Sequence, residues 1–431
     1  MRAILGVAFA IGLMVGPSNA GTVAVTAGRL LDVKSGRYLD KPQVIITDGR
    51  VVSVGKAGDP TPAGAEQVSL PGVTLLPGLI DMHVHLTTSP LYRGYRKFEF
   101  SDAFWTVIAT RHAKDTLEAG FTTVRNVGSV GYGDVGLKEA VEAGFVPGPR
   151  IMPAAYNFGA TGGHCDETHL PASYDAAKPF NADSPDAARA AVRKLRKYGA
   201  EVIKICATGG VFSRGDTPGA QQMTFEEIKA VVDEAHMADM KVAAHAHGAS
   251  GIKASILAGV DTIEHASLVD DEGIRLALQK GTFFGMDIYN TDYTQTEGKK
   301  NGVLDESLKK DRDIGEIQRE NFRKSLKAGV KQIYSTDAGV YPHGWNARQF
   351  AVMVRYGATP LQAIQAATIN SAEALGWAGD VGQVAKGFYG DLVGVIGDPL
   401  TDVTVLEHPV FVMKGGEVVR GGSPNPSTPK R

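Results

Sequence analysis

The spacing of apolar residues changes rhythm twice along the chain. From Gly21 to about Leu76 they come in short β-rich runs: Thr22-Val23-Ala24-Val25, Val44-Ile45-Ile46 and Val51-Val52-Ser53-Val54. Asp48-Gly49-Arg50, between the last two runs, carries the signal of a tight hairpin turn. No helix of useful length fits this region. The far end repeats the pattern, with a turn at Gly387–Asp391, strands at Leu392–Ile396 and Pro409–Met413, and a second hairpin over Lys414–Val419. Two half-sheets at opposite ends predict one small β-sandwich built from residues 21–76 and 387–425.

Between about Pro77 and Lys386 short apolar strands alternate with helical stretches. Thr122–Asn126, Ile151–Ala154, Val202–Ile205, Val242–His245, Thr262–His265 and Gln332–Ser335 read as strands. Ser184–Tyr198, Thr224–Ala238 and Pro360–Leu375 carry apolar residues at helical spacing. Ser184 precedes Pro185, and Thr224 has Glu227 three residues on, so both helix starts read as capped. Repeated strand–helix units of this length predict an α/β fold, a (β/α)8 TIM barrel over residues 77–386. An open doubly wound sheet is the alternative. The polar residues decide between them, because they fall at the C-terminal ends of the predicted strands, where a barrel gathers its site.

The first such residues are His83 and His85, at the end of the apolar run through Leu79 and Ile80. A strand has a side-chain period of two, so both rings face one side and can hold a divalent metal. His245 ends Val242-Ala243-Ala244-His245, His265 ends Thr262-Ile263-Glu264-His265, and Asp337 follows Ile333-Tyr334-Ser335-Thr336. A lone strand-end histidine is usually structural. Three strands ending in histidine and a fourth in aspartate predict a metal site. Lys204 stands in Val202-Ile203-Lys204-Ile205-Cys206, where a buried ammonium is costly or loses its proton. A neutral lysine adds carbon dioxide, and the resulting carbamate carboxylate can bridge two metals. The plainer alternatives are a lysine reaching solvent or paired to Glu201.

Composition narrows the field. The chain has 431 residues, 43% hydrophobic and 21% charged, with a formal net charge of −2. That balance gives no electrostatic case for nucleic acid or an anionic membrane. Met1-Arg2 precedes an uncharged run, Ala3–Val15, and Ser18 and Ala20 then supply small residues ahead of a cleavage site. This predicts a signal peptide over residues 1–20, and a mature chain that is secreted or periplasmic. The tail Gly421–Arg431 is rich in Gly, Ser and Pro and reads as frayed. Cys165 and Cys206 are the two cysteines. They flank the candidate site and read equally as one disulfide or as reduced neighbours.

The ordered set of motifs resembles the amidohydrolase superfamily over nearly the whole mature chain. It rests on Pro77–His85, on Lys204-Ile205-Cys206-Ala207-Thr208-Gly209-Gly210-Val211, on Val242–Gly248, on Ile263–Ser267 and on Ser335–Gly339. The resemblance implies His83, His85 and Asp337 on one metal, His245 and His265 on a second, and carboxylated Lys204 between them. Within the superfamily the chain is similar to prolidase-like metallo-carboxypeptidases and ochratoxin-hydrolysing amidohydrolases, through the Thr161–Asp166 and Thr208–Ser213 loops. The implied function is hydrolysis of a dipeptide or N-acyl amino acid, with two divalent ions, most suitably zinc, and a small-molecule amide as substrate. A homo-oligomer is implied as well. Ring-opening hydrolysis of a cyclic amide, lactonase or phosphotriester activity, and an exported binding protein without catalysis are the competing readings.

Further residues receive expected roles. Asp337 is the proton carrier between attacking water and leaving amine. His164, in a glycine-rich loop, donates to the substrate carbonyl, against the plainer reading of a turn histidine. His247 faces the same cavity as His245 and contacts substrate or a supporting group rather than metal. Tyr289 is a candidate substrate contact. Arg93 and Arg96 read as a solvated cationic face in preference to a carboxylate site. Asn290–Asp313 reads as a lid or an oligomer contact.

Overall fold

The computed structural model describes residues 21–174 and 180–421. The expected signal peptide and most of the Gly421–Arg431 tail lie outside the described residues. Among the described residues no helix is long and apolar enough to cross a membrane.

Eight parallel strand positions form the barrel. In order they are Leu79–Val84, Phe121–Asn126, Arg150–Pro153 continued by Phe158–Gly159, Val202–Cys206, Lys241–Gly248, Thr262–Leu268, Phe283–Gly285 and Gln332–Ile333. Every residue of the first, second and fourth is buried, which explains why they read as nearly unbroken apolar runs. The ring closes where the last position meets the first: Met82 N–H donates to the Tyr334 carbonyl and Asp337 N–H to the His83 carbonyl, each at 2.7 Å. Across the broken third position, Glu201 N–H donates to the Pro153 carbonyl at 2.8 Å. A closed ring leaves no unpaired strand edge.

The expected helices stand with their caps. Ser184 accepts from Ala187 N–H at the start of Pro185–Lys197, and Thr224 with Glu227 makes a full capping box before Phe225–Met237. The stretch after Pro360 is not one regular helix. A π-turn at Ala366–Asn370 separates Pro360–Gln365 from Ser371–Leu375. The Ala366 carbonyl accepts from Tyr334 N–H at 3.1 Å and from Ser371 Oγ at 2.6 Å, so a barrel contact interrupts the helical ladder. The polar segment Asn290–Asp313 is neither free lid nor loop. It holds the helix Asn290–Glu297 and the first turns of Asp305–Ala328, packed at the barrel mouth.

Both chain ends meet in one eight-stranded mixed sheet. Thr22–Asp32 pairs parallel with Glu66–Pro77, and Leu392–Ile396 pairs antiparallel with the same strand. The sheet wraps its own apolar cluster, including Val25, Val44, Leu75, Leu392 and Phe411. Its hairpin at Asp48-Gly49 takes left-handed backbone at both residues, φ 52° and 75°. Glu66–Pro77 runs through Gly78 directly into the first barrel strand. A Cβ on Gly78 would lie 2.1 Å from Thr122 Oγ1, so only glycine fits that joint. The sheet therefore docks at the N-terminal end of the barrel strands and leaves the opposite end open.

Candidate active site

At the open end His83 and His85 finish the first strand position. His83 donates from Nδ1 to Glu264 Oε2 at 3.0 Å, and Glu264 also takes Arg125 Nη2 at 2.5 Å. His85 donates from Nδ1 to the Gly128 carbonyl at 3.2 Å. Both rings thus turn Nε2 toward Asp337 Oδ1, at 3.5 Å and 3.3 Å. Fixing one ring nitrogen in this way orients the other for a ligand. Lys204 Nζ lies 3.5 Å from His83 Nε2, and among the described residues it forms no ion pair. The expected partner Glu201 instead meets Lys138 at 3.2 Å.

His245, His247 and His265 form the second group. Their ligand atoms lie within 4.8 Å of one another, as do those of His83, His265 and Asp337, and all are buried. His265 donates from Nδ1 to Asp287 Oδ1 at 2.8 Å, and His245 donates from Nε2 to the Gly209 carbonyl at 3.2 Å. Three backbones here sit in left-handed conformations without being glycine: His265 (φ 73°), Ala266 (φ 47°) and Asp337 (φ 56°). Such conformations cost of order 1–3 kcal/mol each and concentrate at functional sites.

The electrostatics fit a divalent cation. Burial pulls His83 down to about 3, and burial together with neighbouring histidines holds His245 and His247 well below the ordinary imidazole value. These rings therefore present lone pairs at neutral pH. Burial also opposes charge on His265, but Asp287 outweighs it and raises that ring. Asp337 stays ionised: burial opposes its charge, and His83 and His85 overcome this and lower it strongly. Burial lowers the Lys204 ammonium to about 8, which makes the neutral amine accessible. Neutral imidazoles and a carboxylate, braced from behind by other hydrogen bonds, are the donor set of a divalent metal centre.

The remaining expected residues fall in different places. His164 lines the cavity, stacked on His245 with ring centroids 4.2 Å apart, and donates from Nδ1 to Ser213 Oγ at 2.8 Å. His247 lines the cavity beside His245 and His265. Its ring stacks on His265 at 4.7 Å and bonds Ser267 Oγ through Nδ1 at 2.8 Å. Tyr289 does not line the cavity. The turn after Phe283–Gly285 directs Asp287 and Asn290 inward, while the Tyr289 ring packs on Tyr341 and its hydroxyl meets Arg348. The Arg93 reading also changes: its side chain lines the cavity over the Phe212 ring, whereas Arg96 is exposed beside Glu99. Cys165 and Cys206 form a disulfide, Cα atoms 5.7 Å apart, tying the His164 loop to the strand that carries Lys204.

Sequence reasoning missed Glu264, Arg125, Asp287 and Asn290. Glu264 stands inside the quoted run Thr262–His265 and Asp287 between Met286 and Ile288, and an acidic side chain in an apolar run was the available signal. Asp287 and Asn290 line the same cavity as the candidate ligands, about 750 Å³, whereas Glu264 and Arg125 stand behind it. One wall is aromatic, with Tyr92, Phe100, Trp105 and Phe212. The other is polar, with Asn290, Thr294, Ser307 and Asp311.

Residues 74–419 match the Amidohydrolase family. The chain belongs to that family. It is 31% identical to the ochratoxinase of Aspergillus niger, over 95% of this chain and 89% of that enzyme. A solved Xaa-Pro dipeptidase with methionine bound in its active site superposes with a TM-score of 0.88 at 35% identity, covering 93% of this chain and all of that one. A prolidase complexed with N-methylphosphonate-L-proline gives 0.85 at 30% identity, with 93% and 100% covered. This amidohydrolase is therefore a hydrolase of amide bonds, from a family that generally uses divalent metals.

Proposed function

We propose that this amidohydrolase cleaves the amide bond between an acyl group and the amino nitrogen of an amino acid, and releases the free amino acid. The observation that carries the reading is the convergence of His83, His85, Lys204, His245, His265 and Asp337 at the barrel mouth from five strand positions. His83, His85 and Asp337 would hold one cation and His245 and His265 a second. Lys204, once carboxylated on Nζ by carbon dioxide with loss of a proton, would supply a further carboxylate between the two groups. Zinc suits this donor set. When bound, the cations supply Lewis acidity and bring a water's pKa toward neutrality.

The chain's own residues do the rest. Asp337 takes the proton of the attacking water and passes it to the leaving nitrogen. Asn290 Nδ2, 3.3 Å from Asp337 Oδ2, steadies the carboxylate. His164 donates to the substrate carbonyl as it gains negative charge, and Ser213 fixes its ring. His247 faces the substrate beside His245. Relatives named for ochratoxin and for Xaa-Pro dipeptides support substrates with an acyl group on an amino acid, ochratoxin A (phenylalanine on an aromatic acid) among them. The Cys165–Cys206 disulfide supports a working place outside the reducing cytoplasm.

Purified protein loaded with zinc and bicarbonate should bind two cations per chain and hydrolyse a panel of N-acyl amino acids. Lys204→Met should lose most of the bound metal. Less than one cation per loaded chain, or no turnover across the panel, would overturn the reading.

A further inference from the structure

Among the described residues the cavity is lined by one arginine, Arg93, whose guanidinium feels the Asp337 charge at a distance but is held by no direct carboxylate contact. Of the lysine and arginine side chains lining it, Lys97 is paired with Glu167 at 2.6 Å and Lys204 sits against His83. Arg93 forms no ion pair or side-chain hydrogen bond among the described residues. Its guanidinium lies over the Phe212 ring, 4.2 Å from the centroid.

Three loops, which follow the first, fourth and seventh strand positions, hold Arg93 in place. Phe212 supplies the floor from the fourth. The seventh supplies the turn at Asn301-Gly302: Arg93 N–H donates to the Asn301 carbonyl at 3.1 Å. Gly94 and Gly302 both take left-handed backbone, φ 57° and 91°. A Cβ on Gly94 would lie 2.5 Å from the Gly302 carbonyl, and one on Gly302 would lie 2.9 Å from the Arg93 carbonyl. Two glycines thus let the backbones meet and pin the arginine's root. A planar guanidinium braced on an aromatic face has lost its freedom before any ligand arrives, and its fork matches a carboxylate in two parallel hydrogen bonds. Burial also pulls the guanidinium's pKa down, the sign of a charge partly taken out of water.

We propose that Arg93 holds the free carboxylate of the amino acid that this enzyme releases, and so selects N-acyl amino acids over substrates whose C-terminus is neutral. The inference rests on the amide-hydrolase reading above and adds the residue that sets specificity. The aromatic wall of Tyr92, Phe100 and Trp105, on the same loop and the helix after it, takes the apolar part of the substrate.

The test compares N-acetyl-phenylalanine with N-acetyl-phenylalaninamide on the metal-loaded enzyme. The parent should favour the acid in kcat/KM by roughly 100-fold, the scale of a charge-assisted pair. In Arg93→Met that ratio should collapse toward one, chiefly through KM, with metal content unchanged. Arg93→Lys keeps a point charge without the fork and should recover about tenfold. Calorimetry with free phenylalanine and phenylalaninamide reads the same contact without turnover: the acid should bind the parent and not Arg93→Met. An acid preference that survives in Arg93→Met, or phenylalanine binding that ignores the substitution, overturns the proposal, as does a parent that binds neither ligand. If the parent binds phenylalanine through Arg93 but hydrolyses nothing on the panel, the hydrolase reading fails and the carboxylate anchor stands.

Discussion

The two ends of the barrel treat charge in opposite ways. At the end covered by the sheet, Arg150 pairs with Asp391, and Asp391 also accepts from Gly415 N–H at 2.7 Å. Arg50 and Arg150 sandwich the Tyr389 ring at 3.8 Å and 3.7 Å, and Arg50 reaches Asp380 at 2.5 Å. At the open end Lys204 and Arg93 have no carboxylate partner among the described residues, and His265 and Asp337 adopt strained backbone. One end spends its polar groups on holding two folds together. The other pairs its supporting groups, as in Arg125–Glu264 and His265–Asp287, but among the described residues leaves Lys204 and Arg93 without a direct carboxylate contact.

Substitutions at either end break this contrast in measurable ways. The largest effect belongs to the mouth. Asp337→Asn should cut kcat by about 10²–10⁴-fold, the range for a lost proton carrier, while leaving much of the metal in place. Near-normal turnover with metal still bound would remove Asp337 from proton transfer. At the covered end the effect should reverse in kind. Asp391→Ala leaves the half-buried Arg150 without its carboxylate and should lower unfolding stability by about 1–3 kcal/mol in a denaturant titration. The KM and kcat of the folded variant should stay at parent values. A variant that loses activity while keeping its stability would mean that the two ends are not separable.

A smaller, pH-dependent effect sharpens the comparison. Asp134 is a buried acid behind the mouth, bonded to Asn126 and to the N–H groups of Val135 and Ala155. Burial lifts it from 3.8 to about 6. Between those values the folded chain holds a proton that the unfolded chain has lost. The group therefore costs nothing below about pH 4, its cost grows between about pH 4 and pH 6, and it stays constant above that. Asp134→Asn should gain on the parent between pH 4.5 and pH 7, read as the difference in urea midpoints. A constant difference across that range would mean that Asp134 ionises without hindrance.

Much of the mouth was legible before the structure, for a reason that follows from strand geometry. A side-chain period of two and the rule that barrel strands point their ends at the site made His83, His85, His245, His265 and Asp337 stand out from their apolar neighbours. Lys204 stood out because a buried ammonium needs an explanation. The supporting residues were hidden because their meaning lies in distant pairings. Glu264 braces His83 across 181 positions, and Arg125 reaches Glu264 across 139. Tyr289 reads as a contact and Asp287 does not because the short turn after the seventh strand is not visible in the pattern, and that turn decides which side chain enters the cavity. Arg93 looked solvated for the same reason: its neighbours Phe212 and Asn301 belong to other loops.

The shared sheet has a consequence for how the molecule is made. Glu66–Pro77 needs Leu392–Ile396 as its neighbour, so the earlier strand waits until the whole barrel between the two has been made. Contacts this far apart in sequence close late, after the costly loop between them has been drawn in. The nascent polypeptide therefore cannot lock into its final shape on the ribosome. The Leu392–Ile396 strand acts as a latch, fastened only after the barrel that precedes it has been joined.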